Sequence, residues 1–217
     1  MKNVEIYEKL APKYDLATKV VSFGIEEFWR KLFVKEIKKN IKDGVLLDVA
    51  SATGDMAKSI DFKKMYLLDP SSEMNKIAKN KLKDKNVEFI EDFAENCEIP
   101  QKVDIITAFM AVRNFDNMEM GMKNLDKYLK PNGYFVIVEL TKSDSVLFKL
   151  SMFYMSKIVP FIGGIITGEY ESYKKFDKMI KNITDEEILE NLQGYEIIKK
   201  KRLFPPIASL IIARKNG

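Results

Sequence analysis

The sequence predicts an α/β fold: a doubly wound sheet of seven strands, mostly parallel, with a reversed last strand. Between residues 45 and 140, apolar runs typical of buried strands alternate with segments of helical periodicity. Near the C-terminal end, YEIIKKKRLF and IASLIIARK are separated only by Pro205 and Pro206. Because that connection has no room for a crossover helix, the two runs are expected to pair as an antiparallel hairpin at the sheet edge. The 217 residues, 46% of them apolar, fit one domain with a sizeable core.

Helices are expected at the start of the chain and again after the fifth strand. Residues 3 to 40 show helical spacing interrupted at Gly24, and residues 143 to 193 are helical by pattern. The predicted parts of the single domain are an N-terminal helical cap over 1–42, a Rossmann-like core over 43–142, a helical lid over 143–193 and a C-terminal hairpin over 194–217.

Within the core, strands and helices are expected in strict alternation. In chain order, the expected elements are a strand at 45–49, a helix from about 54, a strand at MYLLD, a helix from Ser71 to about 83, strands at VEFI and VDIITAF, a helix from Asn117 to Leu129 and a strand at YFVIVEL. The turn before that last strand is predicted at KPNG, from Pro131 and Gly133.

The composition excludes several classes of protein. The 36 basic and 32 acidic residues give a formal charge of +4, and the lysines are spread along helices instead of forming the basic stripe of a nucleic-acid binder. With no histidine and a single cysteine, Cys97, the usual Cys/His metal sites and histidine acid/base catalysis are not available. We therefore expect no metal and no nucleic acid, and Cys97 should be a small buried or half-buried apolar side chain. The start MKNVEIYEKL predicts an amphipathic helix and no secretory signal, so a cytoplasmic location is expected.

The strongest indication of function is the junction between the first strand and the helix that follows it. The run VLLDV breaks into ASATGD, and a second strand ends on Asp69, 21 positions after Asp48. A strand that ends at a small-residue loop, opens a helix and is followed by another strand-end carboxylate is typical of a site for an adenosine-type ligand. Thr53 and Gly54 are expected to offer backbone N–H groups, and Asp69 is expected to accept hydrogen bonds from ribose hydroxyls.

Longer segments carry a more specific resemblance. They are, in chain order, YEKLAPKYDLATKVVSFGIEEFW, LLDVASATGD, YLLDPSSEM, VRNF, LKPNGYFVIVELTK and FYMSKIVPFIGGIITGEYESYKKF. Over nearly its whole length the chain resembles the ubiquinone/menaquinone biosynthesis C-methyltransferase family, whose members use S-adenosylmethionine to methylate a ring carbon of a prenylated quinol precursor. The resemblance implies S-adenosylmethionine as cofactor and a hydrophobic small molecule or lipid as acceptor.

The resemblance also implies which residues bind the cofactor. They are Asp48, Ala50, Thr53, Gly54, Asp69, Pro70, Asp92, Phe93 and Phe109. Asp48 is expected to reach the amino group of the methionine moiety. Asp92 is expected to accept from the adenine amine, unless it only caps the following turn. The chain departs from the family at Ala50 and Ala52, where glycines are usual. If these positions need a positive φ, each Cβ costs about 1 to 2 kcal/mol and weakens cofactor binding.

On the acceptor side, the resemblance implies catalytic roles for Arg113, Asn114 and Tyr14. Because an arginine side chain stays protonated up to a pKa above ~12, Arg113 is expected to act as a cation that lowers the pKa of the quinol hydroxyl and stabilises the phenolate, with a water molecule as proton acceptor. The alternative is that Arg113 itself acts as the base. The side chains expected to contact the acceptor are Tyr14, Phe23, Trp29, Arg113, Glu139, Phe153 and Tyr173.

Two carboxylates compete for the role of proton acceptor. Glu139 ends the fifth strand and Asp15 follows Tyr14, so either could take the proton that the acceptor loses. The structural alternative for each is a helix cap or an ion pair with Arg30 or a lysine. The sequence leaves the choice open.

The segment 146–168 is apolar apart from Lys149 and Lys157. These lysines, Pro160 and the following Gly-Gly pair argue against a continuous membrane span. We expect a lid that covers a greasy substrate or touches a membrane surface, or else a core helix with a contact between two copies of the chain. For the whole chain, the alternatives are a small-molecule N- or O-methyltransferase and a cofactor-binding regulatory protein without turnover.

Overall fold

The structure, a computed structural model, describes residues 4–41, 43–173 and 183–217. Its strands are β1 (Val45–Val49), β2 (Lys64–Leu68), β3 (Val87–Ile90), β4 (Val103–Phe109), β5 (Leu129–Leu140), β6 (Tyr195–Leu203) and β7 (Ala208–Lys215). They form one sheet with the order β3-β2-β1-β4-β5-β7-β6. Neighbouring strands are parallel except for β7, which runs antiparallel to β5 and to β6. The predicted seven-stranded, mostly parallel sheet with a reversed last strand is confirmed.

Helices cover both faces of this sheet. They are α1 (Val4–Leu10), α2 (Tyr14–Val21), α3 (Ile25–Asn40), α4 (Asp55–Lys58), α5 (Ser72–Lys81), α6 (Met118–Asp126), α7 (Val146–Lys157), α8 (Val159–Thr167) and α9 (Asp185–Glu190). Every residue of β1 is buried, as expected for a strand that has parallel neighbours and helices on both faces. Beside β1 the chain reverses its direction of travel across the sheet, from β3 at one edge back to β4. Ligands of doubly wound domains bind at such a switch point, beyond the carboxyl ends of the strands.

The predicted helical start of the chain is confirmed for the described residues. Gly24 adopts a left-handed conformation with φ of 74° and separates α2 from α3, which is the predicted break. The N-terminal helices and the helices after β5 share a small core of their own. Its buried members are Ile6, Leu10, Ala17, Val159 and Tyr173. The first helices and α8 are therefore packed against each other, above the carboxyl ends of the strands.

Two details of the predicted core are wrong. The alternation fails between β3 and β4, because residues 91–102 contain turns and no helix. β5 begins at Leu129 and not after the KPNG turn, and Asn132, at φ of 60°, lies inside the strand where its pairing with β4 is irregular. The C-terminal hairpin prediction is confirmed: β6 pairs antiparallel with β7, and Leu203 lies opposite Ala208.

The predicted lid contains α7, α8, helical residues 170–173 and α9, whereas its part at 174–182 lies outside the described residues. The stretch Val146–Thr167 is long and apolar enough to cross a membrane, by length and composition only. A turn at Ile158 separates α7 from α8, and Pro160 stands in the first turn of α8, where its missing N–H costs no helical hydrogen bond.

Candidate active site

A cavity of about 820 Å³ lies beyond the carboxyl ends of β1, β2 and β4. Helices α1, α2, α3 and α7 close it from the other side. Of the residues predicted to act at the site, those that line the cavity are Tyr14, Phe23, Trp29, Asp48, Ala50, Thr53, Asp69, Pro70, Asp92, Phe93, Phe109, Arg113, Asn114 and Tyr173. The fold therefore brings residues from distant parts of the sequence to one site. Their individual roles in binding remain predictions.

The loop after β1 has a left-handed backbone at three positions. Ala50, Ala52 and Gly54 have φ values of 52°, 47° and 78°. A side chain with a Cβ is strained in this region by roughly 1 to 2 kcal/mol, so both alanines stand where glycine is preferred. This is the condition under which the sequence predicted a cost in this loop.

Gly54 has a packing role that the sequence did not predict. It does not line the cavity, and its N–H donates to the Ser51 carbonyl at 3.0 Å, within the loop. A Cβ at Gly54 would come within 2.8 Å of Leu82 Cδ1 and 3.2 Å of Ala78 Cβ. Gly54 thus allows close packing against α5. The prediction that Gly54 offers its N–H to the cofactor does not agree with the structure, in which that N–H is bonded to Ser51.

Asp69 follows β2 and holds the loop in place. Its Oδ2 accepts a hydrogen bond from the Ala52 N–H at 2.8 Å, and its Oδ1 accepts from the Ser71 N–H at 2.9 Å. Each carboxylate oxygen can accept a second hydrogen bond, which leaves capacity for the two ribose hydroxyls. Burial raises the pKa of Asp69 to about 6, against the lowering effect of the two backbone N–H groups.

Asp48, near the end of β1, has one oxygen in use and one without a partner. Oδ1 accepts from Thr107 Oγ1 at 2.9 Å, whereas Oδ2 and the nearby Ser51 Oγ are buried and make no hydrogen bond. Burial raises the pKa of Asp48 to about 7. Buried polar atoms are nearly always paired in folded proteins, so these two atoms fit a ligand that brings hydrogen-bond donors into the cavity. The ammonium of the methionine moiety of S-adenosylmethionine is such a donor.

Asp92 and Phe93 follow β3 and reach the same cavity. Asp92 Oδ1 accepts from the Phe93 N–H at 2.7 Å, and the Phe93 carbonyl accepts from Cys97 N at 2.9 Å. Asp92 therefore stabilises the local turn, as the structural alternative predicted, and also lies at the cavity wall. Cys97 is buried, and burial raises the pKa of its thiol to about 11, which agrees with the small buried side chain that the sequence predicts.

Arg113 lies in the short 3-10 helix Val112–Asn114 that follows β4. Its side chain lines the cavity and is paired with the Glu139 carboxylate. Burial disfavours the charged guanidinium, but the attraction and hydrogen bond of Glu139, together with Tyr7 and Tyr14, outweigh burial and raise the pKa of Arg113. Arg113 thus supplies a permanent positive charge, whereas the arrangement does not fit it as a base.

Glu139 is fully buried at the end of β5 and does not line the cavity. Besides the ion pair, its Oε2 accepts from the Arg113 N–H at 3.2 Å and its Oε1 from the Leu140 N–H at 2.8 Å. The prediction that Glu139 contacts the acceptor does not agree with this buried position. Among the described residues its ion pair is with Arg113, and not with the Arg30 or lysine that the structural alternative named.

Two tyrosines from the N-terminal helices face Arg113. Tyr14 was predicted from the sequence, and Tyr7 of α1 was missed. Their rings meet edge to face with centroids 6.3 Å apart, and a side-chain hydrogen bond joins Tyr7 to Asn114. Burial raises the pKa of both phenols above the ordinary value, so both stay protonated donors. Tyr7 stands seven residues before Tyr14, but the 3-10 helix Ala11–Lys13 between α1 and α2 interrupts the helical repeat, so the spacing alone does not indicate Tyr7.

Asp15 takes part in a polar cluster that joins α2 to the cofactor loop. Thr53 Oγ1 donates to Asp15 Oδ1 at 2.6 Å, and Lys81 Nζ is bonded to Asp15, to Thr53 Oγ1 at 2.9 Å and to Asp55 at 2.6 Å. For Asp15 the structural alternative, an ion pair with a lysine, is therefore observed. The sequence could not indicate Lys81, because α5 and α2 are far apart along the chain.

The remaining predicted acceptor contacts differ in position. Trp29 is buried and its Nε1 donates to the Phe204 carbonyl at 2.8 Å. Phe23 lines the cavity and is also 75% exposed. Phe153 does not line the cavity and points outward on α7, with 60% of its surface exposed. The prediction that Phe153 contacts the acceptor does not agree with this position. Cavity residues that the sequence missed include Ser51, Leu147, Leu150 and Tyr154.

Within the described parts of the chain, no group of three or more Cys, Asp or Glu side chains is arranged to hold a metal ion.

The reversed seventh strand, the loop after β1 and the carboxylate after β2 define an S-adenosylmethionine-dependent methyltransferase of the Rossmann-like class. Comparisons with known proteins give the family. Residues 1–213 match the model of the ubiE/COQ5 methyltransferase family. The chain belongs to the ubiE/COQ5 methyltransferase family, and the resemblance found in its sequence is confirmed.

Two relatives cover almost all of the chain. A demethylmenaquinone methyltransferase of Thermotoga maritima is 32% identical over 96% of this chain and 94% of its own length. A ubiquinone/menaquinone biosynthesis C-methyltransferase UbiE of Campylobacter jejuni is 32% identical over 99% of this chain and 97% of its own. Among solved structures, an S-adenosylmethionine-dependent methyltransferase described as a possible histamine N-methyltransferase, from Thermotoga maritima, shares the fold. Its TM-score is 0.68 at 18% identity, over 98% of this chain and 99% of that one.

Proposed function

We propose that the protein transfers the methyl group of S-adenosylmethionine to a ring carbon of a prenylated quinol such as a demethylmenaquinol. The observation that carries this proposal is the Arg113 guanidinium at the wall of a largely apolar cavity, held there by the buried Glu139. The relatives named for menaquinone and ubiquinone biosynthesis support the choice of acceptor.

The residues of the chain divide the work between the two ends of the cavity. Asp48, Ser51 and Asp69 bind and orient the cofactor, which supplies an electrophilic sulfonium methyl group when bound. On the other side, Arg113 stabilises the negative charge that develops on the quinol oxygen, because a fixed cation in a water-poor site favours the phenolate. The ring carbon next to that oxygen then becomes nucleophilic and forms the new C–C bond as the bond between the methyl group and sulfur breaks. The hydroxyl proton and the ring-carbon proton pass to water.

Positioning provides the rest of the rate enhancement. A carbon nucleophile must lie in line with the methyl group. Holding two reactants in such a geometry lowers the activation barrier by up to about 7 to 11 kcal/mol. Tyr7 and Tyr14 remain protonated and can donate hydrogen bonds to the oxygens of the ring. Leu147 and Leu150 of α7 provide an apolar wall for the isoprenoid tail.

The other expectations about partners and location belong to the same proposal. The enzyme works in the cytoplasm, takes its acceptor from a lipid environment and makes peripheral contact with a membrane surface. The 1–42 cap and the 143–193 lid enclose the acceptor. A dimer of the chain is the competing use for the apolar lid, and nucleic acid has no part in the reaction.

The proposal is tested with purified protein, S-adenosylmethionine and three acceptors: a short-chain prenylated 1,4-naphthoquinol, the same ring without its tail, and histamine. Mass spectrometry of the products should show one added methyl group on the prenylated quinol and a lower kcat/KM for the ring without the tail. Methylation of the amine alone would identify a different acceptor class. Tight cofactor binding without any product would indicate a binding protein without turnover.

A further inference from the structure

Three helices that pack on one another expose large apolar side chains on their outward side. α8 contacts α2 and α7, and the Tyr154 hydroxyl of α7 donates to the Val21 carbonyl of α2 at 2.7 Å. We call the outward side the three-helix face; its members are Leu16, Val20, Phe23, Val146, Leu150, Phe153, Ile158, Phe161 and Ile165. We infer that this face docks the protein on a bilayer surface that contains anionic lipids.

The exposure of this face does not fit a core helix. Phe161 is 61% exposed and Ile165 is 69% exposed, one turn apart on α8. Only 22% of the apolar segment in Val146–Thr167 is buried inside the protein, whereas the core helix of a soluble domain is mostly buried. Exposed apolar patches of this kind mark surfaces that bind a protein or a membrane. The alternative of an ordinary core-packing helix therefore does not explain α7 and α8.

The charges on the face select the lipid. On α7, Lys149 and Lys157 lie on the same exposed stripe as Val146, Leu150 and Phe153, with helical spacing. The segment from Ser145 to Gly168 contains no aspartate or glutamate. Lysines beside an apolar stripe are typical of helices that lie in the plane of a membrane, where the basic groups approach anionic headgroups. The same lysines oppose a complete crossing of the bilayer.

The face is continuous with the cavity. Leu150 and Phe23 are exposed on the face and also line the cavity, and the rings of Phe23 and Tyr154 lie 5.7 Å apart. The face therefore adjoins the cavity through apolar side chains, which suits a molecule that passes from the lipid to the site. The inference rests on the proposed function for its purpose, since a prenylated acceptor resides in the bilayer.

The competing occupant of the face is a second copy of the chain. An interface between two identical copies would bring Lys149 and Lys157 of one copy close to the same lysines of the other copy, or to other parts of its three-helix face. Because like charges repel, the charge pattern favours an anionic lipid surface over self-association.

Flotation with vesicles tests the inference without any acceptor. Vesicles of phosphatidylcholine alone are compared with vesicles of phosphatidylcholine mixed with phosphatidylglycerol. The parent should float with the anionic vesicles, and added salt should weaken that binding. The apolar variant carries Phe161→Ser and Ile165→Ser, with Met120→Ser and Ile198→Ser as its matched control, since Met120 and Ile198 are exposed apolar residues on α6 and β6. Circular dichroism checks that each variant is folded.

The charge variant carries Lys149→Glu and Lys157→Glu, and its control carries Lys123→Glu and Lys201→Glu, which change the net charge equally. Each face variant should bind anionic vesicles about ten-fold more weakly or worse, and each control should bind like the parent. The inference is overturned if the parent does not bind, if the controls lose as much as the face variants, or if sedimentation velocity shows a dimer that only the face variants dissociate. Since flotation uses no acceptor, a failure to methylate quinols would leave the vesicle result unaffected.

Discussion

Glu139 holds Arg113 from the side away from the cavity. The carboxylate is fully buried and accepts from both the side chain and the backbone N–H of Arg113, while the guanidinium remains at the cavity wall. A charge held in this way does not need to reorganise when negative charge develops on the acceptor, which is the condition for effective electrostatic stabilisation.

Arg113→Ala should therefore reduce kcat by about 100-fold or more while the cofactor dissociation constant stays within a few fold. Glu139→Gln should show the same pattern more weakly, because Arg113 keeps its charge and loses its ionic partner. Kinetics with a prenylated quinol and calorimetric titration of the cofactor give the two quantities. Equal losses of turnover and cofactor affinity in Arg113→Ala would contradict its placement on the acceptor side.

Asp69→Ala should act in the opposite way. It removes the acceptor for the ribose hydroxyls and for the Ala52 and Ser71 N–H groups, so the cofactor dissociation constant should rise by at least about ten-fold. Asp84→Ala, at an exposed position of the turn after α5, is the control and should bind like the parent. If calorimetry finds the two variants equal, Asp69 does not bind the ribose.

Asp48 should make the stability of the cofactor-free protein depend on pH. Its pKa is raised from its ordinary value to about 7, so its contribution to the free energy of unfolding is fully present near pH 4 and is lost as the pH rises to about 7. Asp48→Asn removes this loss. The difference in unfolding free energy between variant and parent, from urea titrations, should therefore shift in favour of the variant as the pH rises from 4 to 8. If the difference in unfolding free energy is the same at every pH, the pKa of Asp48 is not raised in the folded protein.

The same carboxyl should link cofactor binding to pH. The positively charged ammonium favours the ionised form of Asp48, so cofactor affinity in the parent should increase between pH 5.5 and 8, by up to ~10-fold per unit below the raised pKa. Asp48→Asn should bind more weakly at pH 8 and show a flatter profile. Calorimetry in buffers of different ionisation enthalpy would also detect the released proton.

Ala50→Gly and Ala52→Gly should stabilise the protein, each by about 0.5 to 1 kcal/mol. The relief of roughly 1 to 2 kcal/mol of left-handed strain exceeds the entropy cost of glycine. Ala78→Gly, inside α5, is the control and should destabilise by at least about 1 kcal/mol, because glycine is a poor helix former and Ala78 is also buried. Destabilisation by all three glycines in urea unfolding would mean that the loop in solution does not have the positive φ angles.

Tyr7→Phe should lower kcat/KM for the quinol several-fold and leave the cofactor dissociation constant unchanged. The phenol hydroxyl is bonded to Asn114 beside Arg113, and one neutral hydrogen bond is worth roughly 0.5 to 1.5 kcal/mol. Tyr195→Phe is the matched control. The Tyr195 hydroxyl donates to Asp126 at a distance of 2.5 Å, and this pair does not line the cavity. Equal kinetics for the two variants would exclude Tyr7 from the acceptor site.

Local patterns made the sheet and the cofactor side predictable. The strand ends at Asp48 and Asp69 and the small-residue loop between them belong to one βαβ unit, so their spacing alone places them at one edge of the sheet. The strict alternation was wrong between β3 and β4, where the sequence itself places no helix between the runs VEFI and VDIITAF and the structure has none.

The acceptor side depends on contacts that spacing does not encode. Glu139 occupies a strand end, as a ligand-binding carboxylate does, yet the buried guanidinium of Arg113 takes up its hydrogen-bonding capacity. Phe153 belongs to a segment typical of a lid, and which side of α7 faces the cavity follows only from the packing of α7 on α8. Tyr7 and Lys81 reach the site from separate helices, so only the folded chain shows them there.

The chemical identity of the new bond tests the central claim most directly. The protein is incubated with S-adenosylmethionine labelled with ¹³C in the methyl group and with a prenylated 1,4-naphthoquinol, and the product is examined by carbon NMR. We predict that the label appears as a methyl group on a ring carbon, and that Arg113→Ala lowers its rate of formation by about 100-fold or more under cofactor saturation. A label found on the quinol oxygen, or an equal yield from Arg113→Ala, would contradict the account.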